Sequence, residues 1–126
     1  MHALIVVAHH DPQSLTHSVA AEVGAGLNAN SHTFEIADLA AEGFDPRYTA
    51  ADHRVHRTRA VPPADVLAEQ ARIDRADALV LVFPIYWWSM PALLKGWVDR
   101  VFVNGWAIDY GPDTPVQKKL RHLHVH

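Results

Sequence analysis

The sequence predicts an α/β fold built on a parallel sheet with helices on both faces. Two apolar runs of strand length, ALIVVA at 3–8 and ALVLVFP at 78–84, are rich in β-branched residues and suit strands buried on both sides. A segment with helical periodicity follows each run. Strands that alternate with helices form a parallel sheet with right-handed crossovers. With 126 residues, of which 49% are apolar, the chain fits a single domain over residues 1–126.

The first half of the chain predicts a strand, a helix, a second strand and a long loop. The helix has apolar residues at steps of four, Leu15, Val19, Val23 and Leu27. Ser14 or Thr16 can cap its start. HTFEIADL at 32–39 alternates as a second strand does. Residues 40–63 contain glycine and proline without a clear period, so we expect a loop with short helical turns. Within this loop, we expect the side chains of Arg54, Arg57 and Arg59 to be solvated.

The second half predicts two helices and two strands. Residues 63–77 read as a helix with proline in the first turn, and they lead into the third strand at 78–84. Residues 90–102 form a second such helix, with Pro91 near its first position. A loop is expected from Asn104 onward, and KKLRHLHVH at 118–126 is the start of a fourth strand.

Composition excludes several classes of protein. Eleven basic against fourteen acidic residues give a net charge of −3, so clustered positive charge for nucleic acid or an anionic membrane is not expected. The chain has no cysteine, which excludes disulfides, iron–sulfur clusters and a thiol nucleophile. No apolar run reaches the length of a membrane span, and the first residues carry no basic leader. We therefore expect a cytoplasmic protein.

Two loops after strands carry the residues best suited to binding, because open α/β sheets bind ligands at the carboxyl ends of their strands. HHDPQSLTHS at 9–18 offers hydroxyls and helix-start amides for a phosphate, although plain capping accounts for them as well. It lacks the glycines of the dinucleotide and P-loop motifs. PIYWWSMP at 84–91 holds three aromatic residues between prolines, which suits a flat heteroaromatic ligand or, alternatively, a core or interface cluster. Together the loops predict a site for a nucleotide with a planar redox ring.

Three stretches resemble the flavodoxin-like NAD(P)H:quinone oxidoreductase family: LIVVAHHDPQSLTHSVA, DLAAEGFDPRYTAAD and FPIYWWSMPALLKGWVDRVF. The likeness runs through nearly the whole chain in the family's order, and the last stretch is the most specific. The resemblance implies an open sheet of order 2-1-3-4-5 and a bound FAD, or FMN in some relatives. It also implies NAD(P)H as co-substrate, a quinone acceptor, and a homodimer whose sites lie between the subunits.

The resemblance also implies roles for individual residues. It implies contacts with the ribityl and pyrophosphate groups of the flavin from four residues, His9, Ser14, Leu15 and Thr16. The loop under the isoalloxazine ring falls on Pro84, Ile85, Tyr86, Trp87 and Trp88. Trp87 and Trp88 would also wall the pocket for nicotinamide or quinone, and Tyr110 would lie at its dimer-shared mouth. Ile108 stands where the family often has tyrosine, and no catalytic acid or base is assigned.

Relative to that family, LRHLHVH at 120–126 stands where a further flavin loop would begin. We therefore expect a C-terminally incomplete flavodoxin-like domain, with strand order 2-1-3-4 and no fifth strand. The expected reaction is a two-electron ping-pong transfer from NAD(P)H through the flavin to a quinone-like acceptor. The alternative is a non-catalytic remnant, or a dimerisation or regulatory module, that binds flavin weakly or not at all. An FMN-dependent azo- or nitroreductase and a potassium-efflux regulatory subunit also stay open.

The histidines near the end of the chain offer a metal site as a rival hypothesis. His122, His124 and His126 alternate, so they share one face of a strand. Same-face neighbours lie about 6.5–7 Å apart along a strand, which is wide for three ligands with Zn–N bonds of ~2.0–2.1 Å. We therefore predict a solvated polar edge and no metal site.

Overall fold

The computed structural model describes all 126 residues as six strands and four helices. In chain order these are β1 (His2–Val7), α1 (Leu15–Ala29), β2 (Thr33–Asp38), α2 (Ala50–Thr58), α3 (Ala64–Asp74), β3 (Ala78–Val82), α4 (Ala92–Val101), β4 (Ile108–Gly111), β5 (Thr114–Lys118) and β6 (His124–Val125). Four strands form one sheet of order β2-β1-β3-β6, in which every pair is parallel. The predicted order 2-1-3-4 is therefore confirmed, with β6 as the fourth strand.

The sheet separates two apolar layers, because successive side chains of β1 point to opposite faces. Leu4 and Val6 lie in the larger layer, under α3 and α4, where Trp97 of α4 is fully buried. Ile5 and Val7 lie in the smaller layer with Ala20 of α1. Helices on both faces are thus confirmed.

The outer part of β3 is less buried than the sequence predicted. β6 pairs only with Ala78 and Leu79 of β3. Val80 and Leu81 beyond that pairing are half-buried. The expectation of a strand buried on both faces along its length is therefore wrong at Val80 and Leu81, whereas Val82 is buried.

The helix α1 is confirmed, but the face predicted to be buried is wrong in its first half. Leu15 is 79% exposed and Val19 is 44% exposed. The buried residues are Ala20 and Gly24. A Cβ at Gly24 would lie 2.7 Å from Cζ of Phe34 on β2, so only the small residues let the helix approach the sheet this closely.

Two segments predicted as loops contain regular structure. Residues 50–58 form α2, which begins with a capping box between Thr49 and Asp52. The arginines of this region lie on α2 or at its end and are exposed, so their solvation is confirmed and the loop is wrong. Residues 108–118, most of which belong to the loop predicted after α4, form the antiparallel hairpin β4–β5. Neither segment has a long apolar stripe, which is why periodicity did not reveal them.

A buried ion network joins α2, α3 and α4. The Arg100 guanidinium on α4 donates to Asp52 on α2 at 3.1 Å and to Asp65 on α3 at 2.6 Å. It also donates to the carbonyl of Asp45 at 2.8 Å and lies over the ring of Phe44. The side chains of Arg100 and Asp52 are 5% and 1% exposed, so the pair is shielded from water. This network fixes α2 against the rest of the fold.

None of the helices has the length and apolar character needed to cross a membrane.

Candidate functional site

The loop between β1 and α1 is held by its own polar side chains. The Asp11 amide donates to Nδ1 of His9 at 3.0 Å, and the Gln13 amide donates to the Asp11 carboxylate at 2.9 Å. Ser14 caps α1 by accepting the His17 amide at 3.2 Å. Of the two predicted caps, Ser14 is therefore the one used.

Behind this loop, three side chains form a continuous chain of hydrogen bonds. The Ser14 hydroxyl lies 2.9 Å from Nδ1 of His17. Nε2 of His17 lies 2.8 Å from the Asp38 carboxylate at the end of β2. The side chains of His17 and Asp38 are 18% and 23% exposed. A hydroxyl, an imidazole and a carboxylate are thus aligned at the carboxyl ends of β1 and β2.

Two cavities lie on either side of His9 and His10, whose rings stack with centroids 4.5 Å apart. The first, of about 360 Å³, is lined by His9, His10, Pro12, His17, Asp38, Ala40 and Ala41. The second, of about 270 Å³, is lined by Ala8, His9, His10, Tyr86, Pro91, Ala92 and Leu93. The first cavity has three imidazoles and a carboxylate in its lining, and the second has more apolar side chains, so one loop presents different chemistry to each side.

The aromatic loop after β3 forms a tight turn. Tyr86 and Ser89 exchange two backbone hydrogen bonds of 3.0 Å, which close a two-residue turn at Trp87 and Trp88. Both tryptophans have positive φ, 50° and 62°. Positive φ at both central residues is the geometry of a type I′ turn, which asparagine and glycine normally occupy.

The two indoles project away from the fold. Trp87 is 89% exposed and Trp88 is 84% exposed, and their rings lie edge to face with centroids 5.0 Å apart. Neither ring lines a cavity of the single chain. The backbone amides of Trp87 and Trp88 make no hydrogen bond within the protein. The turn therefore offers unused donors and a large aromatic surface.

The structure brings some of the predicted site residues together. His9 and Tyr86 line one cavity, and Ser14 lies behind the same loop as His9. Thr16 is half-buried in the first turn of α1, while Leu15 beside it points into solvent. Pro84 and Ile85 lead from β3 into the tryptophan turn, half-buried and exposed respectively.

Tyr110 is far from the other predicted site residues within one chain. Its backbone exchanges two hydrogen bonds with the side chain of Asn104, three residues after α4 ends. The tryptophan turn lies just before α4 begins, and the ten residues of the helix span about 15 Å. Tyr110 lines a separate cavity of about 470 Å³ with His56 and Arg57.

A second tyrosine lies near Tyr110. Burial raises the pKa of Tyr48, and the negative charges of Asp52 and Asp99 raise it further. The Tyr48 ring lies 6.0 Å from that of His56, which lines the same cavity as Tyr110. Tyr48 therefore stays protonated, and its hydroxyl remains a hydrogen-bond donor, beyond the usual pH range of tyrosine.

Sequence reasoning assigned no role to Asp38 or to His17. The signal was present, since Asp38 ends the second strand and strand ends meet at one edge of a parallel sheet. The contact between residues 17 and 38 depends on how α1 lies across the sheet, which periodicity does not specify.

The structure contains no group of three or more His, Cys, Asp or Glu side chains that is arranged to hold a metal ion.

Comparisons with known proteins agree with this geometry. A family model described as "Flavodoxin-like fold" matches residues 1–126. The chain is 34% identical over 123 residues to ribosyldihydronicotinamide dehydrogenase [quinone] of Pongo abelii, with 84% of the chain and 53% of that protein covered. The NAD(P)H:quinone oxidoreductase from Methanothermobacter marburgensis superposes with a TM-score of 0.84 at 35% identity, covering 87% of this chain and 57% of that one.

A third similar structure is general stress protein 14 from Treponema denticola in complex with FMN. It has a TM-score of 0.59 and 31% identity, and the match covers 88% of this chain and 52% of that one. The chain belongs to the flavodoxin-like family, and the resemblance seen in the sequence is confirmed. The chain spans about half the length of the curated relatives it matches, 53% for the Pongo abelii protein.

Proposed function

We propose that this chain carries the flavin site of an NAD(P)H:quinone oxidoreductase, which transfers two electrons from NAD(P)H to a quinone-like acceptor in a ping-pong cycle. The observation that carries the proposal is the meeting of two loops at one edge of the sheet. The β1–α1 loop and the tryptophan turn share a cavity lined by His9 and Tyr86. The names of the similar proteins from Pongo abelii and Methanothermobacter marburgensis support the same reaction.

The residues present fit a flavin. The unused amides of Trp87 and Trp88 suit the hydrogen-bond acceptors along the polar edge of an isoalloxazine ring. The apolar cavity beside Tyr86 and Pro91 suits the flat part of such a ring. FAD is the cofactor we propose, with FMN as the alternative that the Treponema denticola complex supports.

When bound, the flavin would supply the two-electron redox chemistry. The chain's own residues would bind, orient and shield it. His9, Ser14, Leu15 and Thr16 would lie along its ribityl and phosphate groups. The loop from Pro84 to Trp88 would lie under the ring, and Trp87 and Trp88 would cover the face where nicotinamide and quinone bind in turn. Excluding water there strengthens each hydrogen bond to the ring.

A second copy of the chain would complete this site. Tyr110 lies at the far end of α4 from the tryptophan turn, about 15 Å along the helix, so we infer that one copy does not place both beside the same flavin ring. A two-fold homodimer would bring Tyr110 of one subunit to the tryptophans of the other. Burial at that interface would also cover two indoles that are otherwise in water. The cytoplasmic location stays a prediction from the sequence.

Flavin titration of the purified full chain tests the proposed function. We expect a yellow complex and quenching of tryptophan fluorescence with FAD or FMN, followed by NAD(P)H oxidation when a quinone is added.

Trp87→Ala should weaken flavin binding and slow turnover, because it removes a stacking surface worth ~0.5–1.5 kcal/mol. Val61→Ala, an exposed apolar residue outside the site, serves as the control. A chain that stays colourless with both flavins would leave the non-catalytic module as the better hypothesis.

A further inference from the structure

We propose that His17 is a proton-dependent positioning residue, whose protonation turns the Ser14 hydroxyl outward as a donor to a phosphate group of the ligand. This inference rests on the flavin site proposed above. It adds to that proposal which side chain recognises the phosphate end of the flavin and how that recognition depends on pH. The feature behind it is the chain of hydrogen bonds from Ser14 through His17 to Asp38.

Asp38 determines which nitrogen of His17 always carries a proton. An ionised carboxylate only accepts hydrogen bonds, so Nε2 of His17, at 2.8 Å, must be the donor. The other carboxylate oxygen accepts the Ala41 amide at 3.2 Å, which keeps Asp38 in place. A neutral His17 ring therefore has a bare Nδ1, facing Ser14.

A neutral His17 withdraws Ser14 from any ligand. An unprotonated Nδ1 can only accept a hydrogen bond. The Ser14 hydroxyl, 2.9 Å away, therefore donates its single hydrogen to the ring. The oxygen of the same hydroxyl accepts the backbone amide of His17 at 3.2 Å. What Ser14 then presents outward is a lone pair, which repels the oxygens of a phosphate.

A protonated His17 reverses this arrangement without moving a heavy atom. Nδ1–H now donates to the Ser14 oxygen, which can accept both it and the backbone amide with its two lone pairs. The hydroxyl hydrogen is released and can point to a phosphate oxygen. The positive ring then lies between the Asp38 carboxylate and the incoming anion and attracts both of them. Anion binding and proton uptake by His17 are therefore linked.

Other titratable groups face His17, and they define the controls. The β1–α1 loop contributes His9, His10 and Asp11, and the end of β2 contributes Asp38. The first turn of α1 contains no acidic residue. His9 lies edge-on to His17 with ring centroids 6.3 Å apart, and His10 lines the same cavity without a bond to Ser14. A direct attraction between His10 and a phosphate is the rival explanation for any pH dependence.

Binding of FMN and of riboflavin between pH 5.5 and 8.5 tests the inference, because the two ligands differ only in the phosphate. In the wild-type chain we expect the affinity ratio of FMN to riboflavin to be about tenfold higher with the protonated His17 ring than with the neutral ring, the factor for one charge-assisted hydrogen bond, and therefore to fall from the low to the high end of this pH range. In His17→Gln that fall should disappear. The FMN phosphate itself titrates near pH ~6 in both proteins, so the comparison between them removes its effect.

His10→Gln is the matched control and should keep the wild-type pH dependence. If the dependence persists in His17→Gln and vanishes in His10→Gln, the proposal is overturned in favour of direct attraction by His10. If riboflavin shows the same pH dependence as FMN, it is overturned as well, since the phosphate is then not involved.

Ring nitrogen chemical shifts of His17 in the wild-type chain give a test that needs no variant and no flavin. Without ligand we expect the neutral form of the ring to carry its proton on Nε2, and added inorganic phosphate should increase the protonation of Nδ1 at a given pH. A neutral ring protonated on Nδ1, or no response to phosphate, would refute the mechanism. If neither flavin binds, the proposed function fails, while this measurement still decides the role of His17.

Discussion

Trp87 and Trp88 occupy a backbone conformation that bulky side chains rarely adopt. A positive φ of 50° or 62° brings Cβ close to the following carbonyl, which costs roughly 1–2 kcal/mol for each residue. Both indoles are exposed and regain little of this through packing within the chain. Strain of this kind is typical of ligand-binding turns, which agrees with the proposed flavin contact.

Replacing the turn with the residues that its geometry favours should separate stability from binding. We expect the double variant Trp87→Asn, Trp88→Gly to raise the free energy of unfolding by about 1–2 kcal/mol, because Asn-Gly suits a type I′ turn. Urea denaturation measures the gain, and flavin titration should show weaker binding. A less stable variant would mean that the indoles gain more from packing in the proposed homodimer than the strain of the turn costs.

Asp52 is held ionised inside the fold. Burial alone would raise its pKa, but hydrogen bonds from Thr49 and Arg100 outweigh burial and hold the pKa below its ordinary value of 3.8. One oxygen of this carboxylate has no hydrogen-bond partner. Its stabilising effect is therefore present above about pH 4 and is lost as the pH falls through the lowered folded-state value.

Removing this carboxylate should destabilise the protein strongly. We expect Asp52→Ala to lower the free energy of unfolding by about 3 kcal/mol at pH 7, because the buried Arg100 loses a partner and α2 loses its capping box. Asp99→Ala, which removes an exposed pair with Lys95, should cost less than about 1 kcal/mol. The difference in the free energy of unfolding between wild type and Asp52→Ala should shrink below pH 4. A difference that does not change with pH would contradict the ionised state assigned to Asp52.

The helices are fixed by close contacts at glycine as much as by apolar stripes. Gly96 of α4 packs against Pro46, and a Cβ there would lie 2.2 Å from the Pro46 carbonyl oxygen. Gly26 of α1 has nothing within 4 Å of the same position. The two glycines look alike in the sequence, but only Gly96 is required by packing.

Alanine at these two positions should act in opposite directions. We expect Gly96→Ala to destabilise the protein by roughly 1–3 kcal/mol through overpacking against backbone. Gly26→Ala should stabilise it by up to about 1 kcal/mol, because alanine favours the helix. Thermal unfolding of both variants checks the pair. Equal effects would contradict the position of α4 against the Pro46 loop.

The sequence predicted helices and strands wherever buried apolar residues recur at a regular spacing. β1, β2, β3, α1, α3 and α4 were found this way, with ends shifted by a few residues. α2 was missed because it has no long apolar stripe and because the Arg100 network that holds it joins residues distant in sequence, while its local capping box between Thr49 and Asp52 was not recognised. The hairpin β4–β5 was missed because it has no alternating apolar face, and every residue of β5 is exposed.

Completion of the site by a second copy makes a prediction for the assembled protein. Trp87→Ala and Tyr110→Ala homodimers should each carry two impaired sites. When both chains are co-expressed, half of the dimers are mixed and each mixed dimer has one intact site, so about a quarter of the sites should recover. Quinone reduction by the mixture, compared with each variant alone, measures this. No recovery would place Tyr110 and Trp87 in different functions or in the same subunit's site.

The sequence by itself determined the α/β class, the parallel direction of the strands in the main sheet and the two loops at its carboxyl edge. These follow from local patterns, namely apolar runs, helical periods and proline positions, and the family resemblance assigned roles to the loop residues. Only the tertiary structure decided that His17 joins Ser14 to Asp38, that the indoles sit in a strained turn, and that Tyr110 lies beyond α4. Such contacts depend on how elements pack across the sheet, and residues far apart in sequence leave no periodic signal of that packing.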